Sequence, residues 1–213
     1  MGTKGFMSSI LIDDNWGKIV SIIERELHMT DQEAIEAFDQ FSNWTCKDIE
    51  NGIKGQANYL VALGLVSYTE FLGGLFTGNA GITDEAKNNF TEAIKNFPAE
   101  YTEVDRKIVL EDGPRPTIKG IYSAVRCGLV HEYGIKGTAG VLNNPDGFCA
   151  EHIGIKIGLF GGKNGIIFST NEFFRDYQQV LKNVAEKLNR KDQSLLDNMR
   201  TAFTRLAARQ LKA

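Results

Sequence analysis

An arginine and a histidine five positions apart stand out in this chain: Arg126 and His131, within Arg126-Cys127-Gly128-Leu129-Val130-His131-Glu132-Tyr133. Arginine stays positive at any accessible pH and can hold a phosphate. Histidine is the side chain that gives and takes protons near neutrality. A phosphate-holding cation and a proton-transfer group are together enough to cleave a phosphodiester without a metal ion.

Such a pair must be positioned by the element that carries it. Pro116 suits a first helical turn and Gly134 a stop, so the spacing predicts a helix from about 116 to 133. Ile118, Ile121, Tyr122, Val125 and Leu129 share one apolar stripe on it, with Arg126 at the edge. His131 falls on the far side with Cys127 and Ala124, near Gly128. On an ideal helix Arg126 and His131 are about 140° apart. A site that uses both therefore needs the helix to end near His131, or two chains that share residues. The last-turn position favours a protonated His131, because the helix dipole is negative there. The small-residue face of Ala124, Cys127 and Gly128 leaves two readings open: a homodimer across it, or cover by another helix of the same chain.

Arg-x4-His at the end of an apolar helix, within a helical chain, resembles the HEPN superfamily. The longer form Arg-x4-His-x-Tyr, here Arg126, His131 and Tyr133, is similar to HEPN toxins paired with a small nucleotidyltransferase antitoxin. The resemblance implies a helical bundle that dimerises and cuts RNA without metal. It implies that His131 moves the proton in attack by a ribose 2′-hydroxyl and that Arg126 binds the scissile phosphate. Tyr133 would be a substrate contact or the tyrosine that the antitoxin modifies. Cys127 stands where active members usually carry a polar residue, often asparagine. The chain is also longer than the compact toxins.

Glu70 is the one carboxylate in the apolar run from Tyr59 to Phe76. A buried carboxylate needs a partner, and Arg126 is the candidate; the other reading turns Glu70 to water. Together the supporting residues are Tyr133, Glu70 and Cys127. Cys149, Glu151 and His152 form one incomplete ligand group, short of the four that a structural zinc site takes, so no metal and no cofactor is expected. The run from Gly158 to Gly165 lacks the P-loop glycine and hydroxyl positions, because Ile157 and Asn164 occupy them. Arg200, Arg205, Arg209 and Lys212 could touch RNA phosphates, or be a solvated helical face.

Charge is uneven along the chain. Residues 1–112 hold 9 Lys and Arg against 19 Asp and Glu, and residues 113–213 hold 15 against 8. A basic half suits RNA as partner. The 3 cysteines contain no Cys-x-x-Cys, so a disulfide framework is not expected. Met1 to Ser9 shows no secretory pattern, and the 59–76 run, interrupted by Ser67, Thr69 and Glu70, reads as a core helix and not a membrane span. A cytoplasmic protein is expected.

These signals place the whole chain, 1–213, in one mainly α domain: a helical bundle of HEPN type with a small β-hairpin inserted near 151–168. Expected helices run from Asp14 or Asn15 to His28, from the Thr30/Glu33 capping box through Trp44, over 53–76, from Thr83 to Phe97, after a second capping box at Ser169/Glu172, and from Asp192 to Leu211. Residues 98–115 and 134–150 read as connections. Ile153, Ile155, Ile157 and Leu159 alternate with polar or glycine residues, Asn164-Gly165 has turn chemistry, and Ile166 to Phe168 returns as a strand.

Overall fold

The computed structural model describes residues 29–110, 117–132, 138–142, 153–160 and 163–210. The helix expected over 14–28, the Cys149/Glu151/His152 group, Gly134 and Lys212 lie outside them. The fold is mainly α with a small β insert.

Helix α1 (Asp31–Lys54) opens on Thr30. The Thr30 hydroxyl accepts from the Glu33 N–H at 3.2 Å, and the Glu33 carboxylate accepts from the Thr30 N–H at 2.8 Å. This reciprocal cap satisfies two of the donors that a helix start leaves unpaired. Ala34, Ala37, Phe38, Phe41, Thr45 and Ile49 make its buried stripe. Trp44, expected inward, is 36% exposed and packs edge-on against Tyr68, because the stripe passes through Thr45 instead.

The long helix expected over 53–76 is there but starts later, because Ile53 and Lys54 belong to the end of α1. α1 ends at Gly55, Gln56 takes a positive φ of 54°, and α2 (Asn58–Thr77) begins after it. α2 meets the length and apolarity of a membrane span, yet half of that window is buried by the protein itself. Val61, Leu65, Leu72 and Leu75 are essentially inaccessible. It is the central helix of the bundle and packs on α1 and on the helices described next. Gly78, in the left-handed region at φ 74°, ends it as expected.

A short 3-10 turn (Thr83–Glu85) leads into α3 (Ala86–Ile94). Residues 98–115, expected to be a connection, contain α4 (Ala99–Lys107) and the short strand β1 (Val109–Leu110). α4 buries one side chain, Tyr101, so it shows no apolar period in sequence. β1 pairs antiparallel with β2 (Ile118–Lys119). That pairing keeps the next helix from starting at Pro116; helical turns begin at Gly120 and Ile121. A π-helical segment (Tyr122–Arg126) then runs into α5 (Cys127–Glu132).

Residues 138–142, expected to be loop, form β3 (Thr138–Leu142). β4 (Ile155–Phe160) and β5 (Lys163–Ser169) make the expected antiparallel hairpin. Asn164 and Gly165 lie inside β5, so the turn is not theirs. β3 lies parallel to β5 on its other edge, giving the order β3-β5-β4. A parallel partner needs a long connection, which local patterning does not reveal. Ile155, Ile166 and Phe168 face the core, and Ile157 is only half-buried.

α6 (Thr170–Asn189) and α7 (Gln193–Gln210) close the bundle. Ser169 caps differently from the expected box: its hydroxyl meets the Glu172 carboxylate and takes no backbone N–H. One hydrophobic core runs from Ala34 to Phe203.

A buried polar link ties the sheet to the helices. The Tyr101 hydroxyl donates to Asp176 at 2.7 Å and accepts from the Gly154 N–H at 2.8 Å. Tyr101→Phe would leave a buried N–H and a carboxylate oxygen short of a partner. That should cost about 2–4 kcal/mol, measurable as a lower urea midpoint at unchanged slope. A loss under about 0.5 kcal/mol, the level of a neutral surface change, would refute the link.

Candidate functional site

Arg126 sits where helix geometry is distorted. The Cys127 N–H bonds back to the Tyr122 carbonyl, five residues earlier instead of four. Such single wide turns often mark functional positions. Ahead of it, the Asp105 carboxylate accepts from the Ile121 N–H at 2.7 Å and so anchors the start of the segment. The apolar stripe is as expected for Ile118, Ile121, Val125 and Leu129, all buried, with Tyr122 half-buried.

Glu70 meets Arg126, as the pairing reading expects. Arg126 Nε lies 3.3 Å from Glu70 Oε2, with the side chains 28% and 21% exposed. Both atoms are cut off from water and neither has a hydrogen-bond partner. The N–H is therefore not aimed at the oxygen, and the contact is a charge pair. The guanidinium also lies over the Tyr122 ring, 5.7 Å from its centre, a cation–π arrangement. Glu70 and Tyr122 hold the arginine from two sides, while its outer part stays open.

Tyr122 escaped sequence reasoning as a site residue. The signal was there: it precedes Arg126 by four, the spacing of helical neighbours. Phe90 also packs against it, tilted, at 5.7 Å between ring centres.

His131 and Glu132 close α5 by their backbone, five and six residues after Arg126 on the same helix; their side chains lie outside the described residues, as does all of Tyr133. The structure thus brings together Glu70 and Arg126, with Tyr122 added. Cys127 follows them as a half-buried free thiol. The small-residue face is covered within the chain at Ala124, which is 0% exposed, and at Gly128, also buried. Cover by the chain's own elements is the reading that holds at those two positions.

The arginines of α7 are engaged inside the molecule. Arg205 donates to the Gly78 carbonyl and Arg209 to the Gly81 carbonyl, at the exit of α2. Arg200 pairs with Asp31 at 3.0 Å and with Asp197. They tie α7 to the end of α2 and the start of α1. Among the described residues no group of three or more His, Cys, Asp or Glu could hold a metal ion.

Burial, then the Glu70 charge, push the Tyr122 hydroxyl up to about 12, against the pull of Arg126. Burial likewise raises Tyr68, Tyr101 and Tyr177. An unfolded tyrosine ionises near 10. A folded pKa above that value means stability complete below about pH 10 and lost as pH rises from about 10 through 12. Tyrosinate absorbance at 295 nm should therefore appear together with loss of helical circular dichroism. Ionisation of these buried tyrosines near pH 10 with the helices intact would contradict the packing.

No family model, curated protein or solved structure matches the chain.

Proposed function

We propose that this protein is a metal-independent endoribonuclease of HEPN type, acting in defence or as the toxin of a toxin–antitoxin pair. The observation that carries the reading is the state of Arg126. It is a charged side chain on a distorted helical turn, held by Glu70 and Tyr122, with a buried N–H that has no acceptor. Unsatisfied donors are rare in folded proteins and call for an explanation. An arriving phosphate supplies one: its charge draws the guanidinium outward, where bidentate contact becomes available.

In this reading the neutral form of His131 takes the proton from a ribose 2′-hydroxyl, and its protonated form, which the helix end favours, returns one to the leaving oxygen. The freed oxygen attacks the adjacent phosphorus, a 2′,3′-cyclic phosphate forms, and the 5′-oxygen leaves with a returned proton. Arg126 offsets the charge that grows on the phosphate oxygens. Tyr133 contacts the substrate or accepts the modification that a nucleotidyltransferase antitoxin delivers. Two chains bring their helix ends together as a homodimer, through surface other than Ala124 and Gly128.

Incubating the purified chain with structured and single-stranded RNA, with chelator present, tests this. Cleavage should occur and His131→Ala should reduce it about 10²-fold or more. Cleavage unchanged in the variant removes His131 from the mechanism.

A second reading has an observation of its own. Glu70 already neutralises Arg126, and Cys127 replaces the polar residue usual beside it. This favours a catalytically silent HEPN-like module that binds nucleotide, RNA or a protein partner. RNA binding by the parent chain without any cleavage would select it.

A further inference from the structure

A pocket opens where α3, the end of α4 and the β1–β2 pair meet, with Tyr122 in its lining; it encloses about 170 Å³. Lys87, Arg106 and Lys119 line it, and all three are exposed. Asp105 is the carboxylate in the lining, and it is committed to the Ile121 N–H. Among the described residues none of the three cations has a carboxylate within ion-pairing distance, whereas nearby Lys95 and Lys107 pair with Glu92 and Glu103. Three unpaired cations around one concavity raise a positive potential that attracts anions. The wall is not purely polar. Val109 is 49% exposed although apolar, and half-buried Tyr122 also lines the pocket.

We propose that this pocket binds a mononucleotide. Lys87, Arg106 and Lys119 take the phosphate, and Val109 and Tyr122 take the apolar faces of sugar and base. A bare phosphate would use the cations and leave the apolar wall idle; a nucleotide uses both. The site goes beyond the cleavage reading and does not rest on it: among the described residues Arg126 is not in the lining, and Tyr122 borders both places.

The proximity of Lys119 and Gly120 to Asp105 also suggests how occupancy is felt. Gly120 holds a φ of 82°, and a Cβ there would come within 2.9 Å of the Asp105 carboxylate. The turn that begins the Arg126 helix is thus packed directly against the pocket lining.

Calorimetric titration of the full chain at low salt with AMP, and separately with inorganic phosphate, tests the proposal. AMP should bind saturably and at least tenfold more tightly than phosphate. Arg106→Glu combined with Lys119→Glu should weaken AMP at least tenfold, with the circular dichroism unchanged. Val109→Glu, a single exposed replacement, should do the same. His131→Ala, the variant that tests cleavage, should leave AMP binding within twofold, which separates this site from the proposed cleavage centre. The proposal is overturned by no saturable AMP binding at millimolar concentration, by equal affinity for phosphate and AMP, or by affinity that survives both sets of variants.

Discussion

Arg126→Ala should reduce RNA cleavage by about 10²–10³-fold, the range seen when one donor to a developing oxyanion is removed. The same change should also lower stability, because Glu70 Oε2 is buried and Arg126 is the cation facing it. Leaving that oxygen unpaired should cost about 1–3 kcal/mol. The two effects can be separated. Glu70→Gln removes the pairing charge and keeps the shape, so it should restore most of the stability when combined with Arg126→Ala. It should not restore cleavage. Arg126→Lys keeps the charge but loses the planar fork, and should recover less than a tenth of the activity. A purely structural Arg126 predicts the opposite pattern: cleavage that tracks the folded fraction and returns in the double variant. Single-turnover assays beside urea denaturation distinguish the two patterns.

Gly73→Val should prevent stable folding. Helices α2 and α3 touch backbone to backbone at this point. A Cβ on Gly73 would lie 1.7 Å from the Asn89 carbonyl oxygen and 2.5 Å from its carbonyl carbon. Those are main-chain atoms and cannot rotate away. Asn89 is itself buried, accepting from the Thr77 hydroxyl at 3.0 Å and donating to the Asn79 carbonyl at 3.3 Å. The helices must move apart, which opens the core beside Leu72 and breaks that bridge. Overpacking alone costs about 1–3 kcal/mol or more, and the lost hydrogen bonds add to it, within a total stability of about 5–15 kcal/mol. Gly64→Ala is the matched control in the same helix. Its Cβ would meet the end of the Ile49 side chain at 3.0 Å, which can shift, so it should stay within about 1 kcal/mol of the parent. Thermal melts of the two variants should differ by well over 10 °C; similar melts would refute the close approach.

What the sequence determined by itself is the local part of this protein. The Thr30/Glu33 cap, the stop at Gly78, the apolar centre of the bundle and the 155–169 hairpin all follow from nearest-neighbour chemistry: capping spacing, glycine at a positive φ, and apolar periods of 3.6 and 2. The Glu70–Arg126 pairing was legible as one of two readings, because a carboxylate in an apolar helix needs a partner and Arg126 stands at the edge of another apolar stripe. Tertiary structure decided the rest. α4 stayed hidden because Tyr101 is its one buried residue, so its burial has no period to read. β3 stayed hidden because its parallel partner β5 is more than twenty residues away. The late start of the Arg126 helix depends on β1 pairing with β2 and on Asp105 reaching Ile121, contacts between residues well apart in sequence. The α7 arginines show the same limit: their spacing left RNA contact or a solvated face open, and folding placed Arg205 and Arg209 on the carbonyls of Gly78 and Gly81 and Arg200 beside Asp31 and Asp197. Charge and periodicity name the groups that are available, and only the packed chain determines which of them are already paired.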